Sequence, residues 1–335
     1  MRYSYSIEHK ELLFKVAART SRGEYLTHNI WIITINDMLS GRSGTGEAAP
    51  LPDLSVDASS NYENILFQFC NEFCDKGFID YEKWHNAPSM IFAVECALRS
   101  INLDCNINSN HKIQINGLIW MGDIATMKRR IDEKLSDNFR CIKIKIGAKG
   151  LSFQSELQLL HYLRNNPVHT IGKSVELRLD ANGGFSPDKA MAILNELSKF
   201  NVHSIEQPIR QGQWSDMRRL CEESPIPIAL DEELIGLNKT AEKIEMLNAV
   251  KPQFIVIKPT LHGGISGAEE WIRLAEERHI GWWVTSALES NIGLDAIADW
   301  ISTKNTTMAQ GLGTGQLYKW NFQSKWHLKN DELTK

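Results

Sequence analysis

The sequence predicts a mixed α/β protein, in which an α+β unit leads into a parallel α/β barrel. Three observations carry that expectation. Roughly the first hundred residues read as strands followed by helices, the order of an α+β unit. From Ile113 onward, apolar strand-like runs alternate with amphipathic helices seven or eight times in about 200 residues, which suits a closed barrel better than an open sheet. No strand-linked G-x-G-x-x-G opens the first of these units, as a dinucleotide-binding sheet would require.

The elements follow in order. Ile7–Ala17 and Asn29–Asn36 are strand-like, the second rich in β-branched bulk from Ile30, Ile32, Ile33 and Ile35. Between them Arg19–Glu24 is polar and glycine-broken. Ser40–Ser55 carries Gly41, Gly44, Gly46, Pro50 and Pro52 and reads as a loop. Helices are predicted over Tyr62–Lys76 and Pro88–Asn102, the second with Ile91, Val94, Ala97, Leu98 and Ile101 on one face. The barrel strands are then expected at Ile113–Trp120, Cys141–Ile146, Ser174–Leu179, His203–Pro208, Pro227–Asp231, Phe254–Lys258, Gly281–Ser286 and, more weakly, Met308–Gly313. Their near-continuous hydrophobicity suits strands covered on both faces. The helix over Pro187–Phe200 shows the expected start chemistry, with Ser186 as N-cap and Pro187 in the first turn.

Composition narrows the class. The 335 residues hold 37 Lys plus Arg and 41 Asp plus Glu, a formal charge of −4, with 42% hydrophobic and 23% charged residues. These are globular proportions. The mild acidity argues against a nucleic-acid partner, and no apolar run approaches the roughly 18 residues of a membrane span. The N-terminus breaks with charge at Glu8 and Lys10 before a signal-peptide core could form, so a cytoplasmic protein is expected. Cys70, Cys74, Cys96, Cys105, Cys141 and Cys221 form no CxxC pair and read as reduced thiols, Cys70 and Cys74 sharing a helix face.

In a parallel barrel the chemistry gathers at the C-terminal ends of the strands. Here those ends carry Lys143 and Lys145, then Asp180-Ala181-Asn182, Glu206-Gln207-Pro208, Asp231-Glu232 and Lys258-Pro259. Asp180, Glu206, Asp231 and Lys258 are 26, 25 and 27 residues apart, about one βα unit each, so they fall at similar levels on successive strands. If Ile142, Ile144 and Ile146 pack outward, Lys143 and Lys145 must point into the barrel, where a charged pair is costly and seldom merely structural. Three converging carboxylates repel one another. A hard divalent cation removes the problem, and an oxygen-only donor set favours Mg²⁺ or Mn²⁺ over Zn²⁺.

This set of strand ends resembles the enolase superfamily, muconate-lactonising-enzyme subgroup. The resemblance runs nearly end to end. Thr20–Gly23 is similar to the family's flexible capping loop, Gly46–Pro52 to its second substrate-facing loop, Phe92–Glu95 to its capping-domain helix and Ile115–Leu118 to the first barrel strand. It implies a (β/α)7β barrel over residues 113–313 under an α+β capping domain of residues 1–112, with residues 314–335 returning toward the cap. Within the subgroup, Asn116–Trp120 and Thr285–Leu294 are most similar to the o-succinylbenzoate synthases, the dehydratases of menaquinone biosynthesis. The sister N-acyl amino acid racemases and dipeptide epimerases are the alternative. Epimerases typically carry Asp-x-Asp after the last strand, and Gly311–Leu317 has no acid.

What the resemblance implies about the site is a Mg²⁺ held by Asp180, Glu206 and Asp231, and a small carboxylate substrate. Lys145 is then the base, Lys143 its cationic neighbour, and Lys258 the cation stabilising an ene-diolate from the opposite face. Asn182 and Glu232 orient ligands and lysines, Ser286 and Leu288 line the pocket near the substrate's tail, and Arg22 meets a substrate carboxylate. Two unrelated readings compete. A Schiff-base aldolase could use Lys258, and a barrel without activity could serve as a scaffold.

Overall fold

The structure, a computed structural model, describes residues 2–19, 24–102, 111–147, 151–166, 172 and 174–335. The chain begins with an antiparallel sheet of β1 (Tyr3–Arg19), β2 (Glu24–Asp37) and β3 (Arg42–Ala48), in that order. Two helices, α1 (Tyr62–Lys76) and α2 (Pro88–Asn102), pack on it. The α+β expectation is met, with one correction. The glycine-rich stretch read as a loop is strand β3, paired with β2 from Trp31↔Ala48 to Asp37↔Arg42. Its glycines serve packing: a Cβ on Gly44 would stand 2.0 Å from the Ala97 carbonyl oxygen, and one on Gly46 1.9 Å from that of Ala93. Only glycine lets β3 lie this close to α2.

Seven parallel strands form the second sheet: β5 (Gly117–Ile119), β6 (Cys141–Lys145), β7 (Glu176–Asp180), β8 (Val202–Glu206), β9 (Ile228–Leu230), β10 (Phe254–Ile257) and β11 (Gly281–Val284), hydrogen-bonded in sequence order. The intervening helices are α3 (Ile124–Ser136), α4 (Phe153–Arg164), α5 (Pro187–Leu197), α6 (Trp214–Glu223), α7 (Thr240–Val250) and α8 (Gly264–Glu276), and α9 (Asn291–Ile301) follows β11. The expected run Ile113–Trp120 is divided. β4 (Lys112–Gln114) joins β12 (His327–Lys329) and β13 (Glu332–Thr334) in a small antiparallel sheet, and only β5 enters the barrel. The expected strand Met308–Gly313 is reduced to two parallel bridges, Ile115↔Gln310 and Thr285↔Gly311. They suffice to curl the sheet shut between β11 and β5. A Cβ on Gly311 would meet the Thr285 hydroxyl at 2.3 Å, so the glycine cluster here serves strand closure.

Ile142, Ile144 and Ile146 are buried in the core between sheet and helices, which turns the alternate residues Lys143 and Lys145 inward. Cys70, Cys74, Cys96, Cys141 and Cys221 are free and buried, and Cys105 lies outside the described residues. No helix among the described residues is long and apolar enough to cross a membrane.

Cap and barrel are joined through helix N-termini. Glu47 of β3 accepts hydrogen bonds from Ser290 N (2.8 Å), Gly293 N (2.8 Å) and the Ser290 hydroxyl at the start of α9. Glu95 of α2 accepts from Ile265 N, from Ser266 N (3.3 Å) and from the Ser266 hydroxyl at the start of α8. Burial pushes Glu47 up to about 7 against the pull of those donors. Residues 317–319 pair with β1, Lys15 N donating to Leu317 O and Lys319 N to Leu13 O, both at 2.8 Å.

The close approach of β3 to α2 predicts the effect of Gly46→Ala. Forcing backbone apart in a packed unit costs about 1–3 kcal/mol, so thermal unfolding should show a melting temperature several degrees below wild type. Gly122→Ala, whose nearest neighbour would be a Thr126 methyl at 3.4 Å, should leave it unchanged.

Candidate active site

The register of the parallel strands builds the site. Lys145 lies opposite Asp180, and Asp180 opposite Glu206, so one rung places a lysine and two carboxylates side by side. Asp231 follows β9 and Lys258 follows β10. With Asn182, Glu232, Ser286 and Leu288, all of these residues line one cavity of about 110 Å³ at the mouth of the barrel. Of the sequence-predicted site residues, only Arg22 lies outside the described residues, as does the Thr20–Gly23 loop.

The charged groups interlock. Lys143 Nζ donates to Glu206 Oε1 and Oε2 at 2.8 and 2.6 Å and stands 3.0 Å from Asp180 Oδ2. Lys145 Nζ donates to Asp180 Oδ2 at 3.2 Å and to Asn182 Oδ1 at 2.6 Å. Asn182, held at φ 44°, passes the chain on by donating Nδ2 to Glu232 Oε1 at 3.0 Å. Lys258 donates to Asp231 Oδ2.

Burial opposes every charge here, and partners decide which survive. Burial would raise Asp180, but Lys143 and then Lys145 hold it below the usual carboxylate range. Asp231 is likewise lowered, with Lys258 overcoming burial. Glu206 is pushed well above the usual range by burial and then by Asp180. Glu232 rises to about 7 through burial and then Asp231. Burial would lower Lys143 and Lys258, but the surrounding carboxyls together more than reverse it (Asp180, Glu206 and Asp231 around Lys143; Asp231, Glu232 and Glu206 around Lys258), so both are held as ammonium.

The donor chemistry fits a divalent cation. Four carboxyls, of Asp180, Glu206, Asp231 and Glu232, crowd three lysines, Lys143, Lys145 and Lys258, and burial with mutual repulsion pushes Glu206 and Glu232 up, which a bound cation would relieve. Asp231 Oδ1 is buried and unpartnered among the described residues. As they stand, no three His, Cys, Asp or Glu side chains among the described residues close on one point. The lysine Nζ atoms lie against the carboxylates instead.

Sequence reasoning did not assign several residues that finish the site. Gln207 Oε1 accepts from Asp231 N and Glu233 N, both at 3.2 Å, and its Nε2 donates to Glu233 Oε2 at 3.1 Å, which fixes the turn carrying Asp231. Asn116, Leu118 and Trp120 face the cavity on alternate positions, a signal present in the alternation with buried Ile115 and Ile119. Tyr25, Leu51 and Leu54 descend from the cap, and Thr314 comes from beyond the last bridge, its hydroxyl 2.6 Å from that of Ser286.

This geometry has known relatives. Residues 126–330 match the family model described as "Enolase C-terminal domain-like". The chain belongs to the enolase superfamily. Within the superfamily it is 41% identical to the o-succinylbenzoate synthase of Desulfotalea psychrophila, over 95% of each chain. The crystal structure of MenC from the same organism superimposes with a TM-score of 0.83 over all of both chains at 37% identity. The L-Ala-D/L-Glu epimerase of Bacillus subtilis is 27% identical over 87% of this chain and 81% of its own. A structure of that enzyme with substrate bound shares the fold at a TM-score of 0.84 and 20% identity, covering 99% and 95%. Enolase-superfamily enzymes typically use a divalent metal.

Lys143 bridges two buried carboxylates where Lys145 meets one, and removing one partner of a buried ion pair costs about 3–5 kcal/mol. In metal-free protein, Lys143→Ala should therefore lower the melting temperature clearly more than Lys145→Ala, as read by calorimetry.

Proposed function

We propose that this chain is an o-succinylbenzoate synthase, dehydrating 2-succinyl-6-hydroxy-2,4-cyclohexadiene-1-carboxylate to 2-succinylbenzoate in menaquinone biosynthesis. The observation that carries the reading is the near full-length 41% identity to a synthase, in a chain that gathers Lys143, Lys145, Asp180, Glu206, Asp231 and Lys258 in one cavity. Asp180, Glu206 and Asp231 would hold the cation, which we take to be Mg²⁺. Once bound, it supplies positive charge for the dianionic ene-diolate that forms when the proton next to the ring carboxylate leaves.

The side chains do the rest. Lys145, in its neutral form, takes that proton. Asn182 accepts from Lys145 and donates to Glu232, which orients the base. Lys143 stays an ammonium between Asp180 and Glu206 and keeps their charges in place. Lys258, four strands away from Lys145 around the barrel, presents a fixed cation to the other side of the substrate. When the C–O bond breaks, Lys145 returns its proton to the departing hydroxide. Water leaves, the ring becomes aromatic, and both events occur on one face, a syn elimination. Walls of Leu51, Leu54, Trp120 and Leu288 limit the water around the lysine.

Epimerisation of an N-acyl amino acid or dipeptide is the second reading. It is supported by the epimerases among the relatives, and weakened by the absence of an acid from Gly311–Leu317 to hold a substrate ammonium.

The ultraviolet absorbance of the aromatic product tests the reading. Wild-type protein with Mg²⁺ should form it, and Lys145→Ala should form none above background; near wild-type turnover by that variant would sink the base assignment. Asp231→Asn should lose activity together with the thermal stabilisation that added Mg²⁺ gives the wild type, about 2.7 kcal/mol at a hundredfold excess over the dissociation constant. Deuterium wash-in to N-succinyl amino acids that needs both Lys145 and Lys258 would show a racemase capability, since each face of the carbon would then meet a working base, and with no aromatic product formed it would establish the second reading.

A further inference from the structure

Leu288 closes one wall of the cavity and does so in a conformation it does not favour. It stands at φ 65°, in the left-handed region, and is only 8% exposed. A branched apolar residue with neither glycine's freedom nor an Asn-type side chain to bond locally is strained there, and such residues persist only where the surroundings impose them. Two side chains grip its carbonyl oxygen. The Tyr318 hydroxyl donates to the Leu288 carbonyl oxygen, and His28 Nδ1 lies 3.1 Å from the same oxygen and 3.0 Å from the Tyr318 hydroxyl. These partners are remote in sequence. His28 sits on β2 of the cap, and Tyr318 lies in the C-terminal segment, bridged to Phe14 of β1.

The ring also lies close to the backbone of Ala49 and Pro50, just before Leu51 on the opposite wall of the cavity, with its Nε2 buried and without a hydrogen-bond partner among the described residues. One buried ring therefore spans the cap-side wall and the barrel-side wall. Burial pushes His28 down to about 4, so at neutral pH it is an uncharged ring whose hydrogen bonds all run from Nδ1 to the Leu288–Tyr318 side. Around the clamp, Leu12, Phe14, Ile30, Leu51, Ala287 and Leu288 form one apolar cluster with the Tyr318 ring. A second anchor steadies the loop from below, where Glu289 accepts from the Thr260 hydroxyl and from Ala287 N.

We propose that His28 and Tyr318 are positioning residues for substrate binding: together they clamp the Leu288 carbonyl, hold Leu288 left-handed and so set the apolar wall against which the unreactive part of the substrate packs. The inference rests on the cavity being the substrate site. Neither residue touches the reacting atoms. Losing the clamp lets Leu288 relax and blunts the wall, which weakens binding while Lys145 and its neighbours stay in place.

The test is the split between KM and kcat in Tyr318→Phe, His28→Leu and His28→Asn, each checked for folding by circular dichroism and thermal melting. Tyr318→Phe keeps the ring and its packing and removes only the donor. It should raise KM roughly tenfold, the worth of one to two hydrogen bonds, with kcat within about threefold of wild type. His28→Leu should act in the same direction, and His28→Asn, which keeps a donor near the place of Nδ1, should restore KM. An unchanged KM in folded Tyr318→Phe overturns the proposal. So does a loss of kcat and active fraction at constant KM, since that marks a purely structural role. Failure of the functional reading looks different. Wild-type protein would form no aromatic product but would epimerise a dipeptide or N-succinyl amino acid, and the same KM split on that substrate then decides the clamp.

Discussion

Four carboxyl groups and three lysine amines share the mouth of the barrel with little exposure to solvent, and the rest of the molecule is arranged to make that tolerable. An unpaired charge in such a place costs several kcal/mol. The strands must therefore hold a register that sets Lys145, Asp180 and Glu206 on one rung. Gln207 must fix the turn that presents Asp231, and Asn182 must take up a left-handed backbone to reach both Lys145 and Glu232. The isoleucines between the lysines matter for the same reason. By packing outward they leave the lysines no direction except inward.

Much of this was legible because it is periodic. The strand-end residues recur about once per βα unit, and the alternation Ile-Lys-Ile-Lys-Ile states which face of β6 is which. The illegible parts depend on contacts between distant segments. Gly44 and Gly46 look like loop residues until α2 is laid across them, since glycine marks close approach as readily as it marks a turn. The eighth strand is two bridges long, too short to leave a pattern. Tyr25 and Leu54 reach the cavity from a different unit with nothing in their local sequence to announce it, whereas Leu51 falls in Gly46–Pro52, whose likeness to a substrate-facing loop pointed there. His28 and Tyr318 meet across 290 residues of chain, where no short-range rule can find them.

The cavity thus has two kinds of boundary. Its floor of lysines and carboxylates grows from β6 to β10, the strands at the centre of the sheet. Its walls come from the cap, from the loop after β11 and from the segment that closes the barrel. Under the proposed function, loss of a proton beside a carboxylate would take place on the floor. The choice of molecule admitted to it would then fall to the walls. A superfamily with synthases and epimerases among its members is what such a division allows.

Glu47 and Glu95 give the cap a hold on the barrel that differs from apolar packing. Each places a carboxylate on the first backbone amides of a barrel helix, where the helix dipole favours negative charge and the amides have no partner of their own. Separating the two units would strand both acids and both helix ends at once. The cap therefore cannot be exchanged among relatives like a detachable module. A chimera would have to carry its acids together with the α8 and α9 starts that receive them, so evolution of the walls is tied to two positions that never meet the substrate.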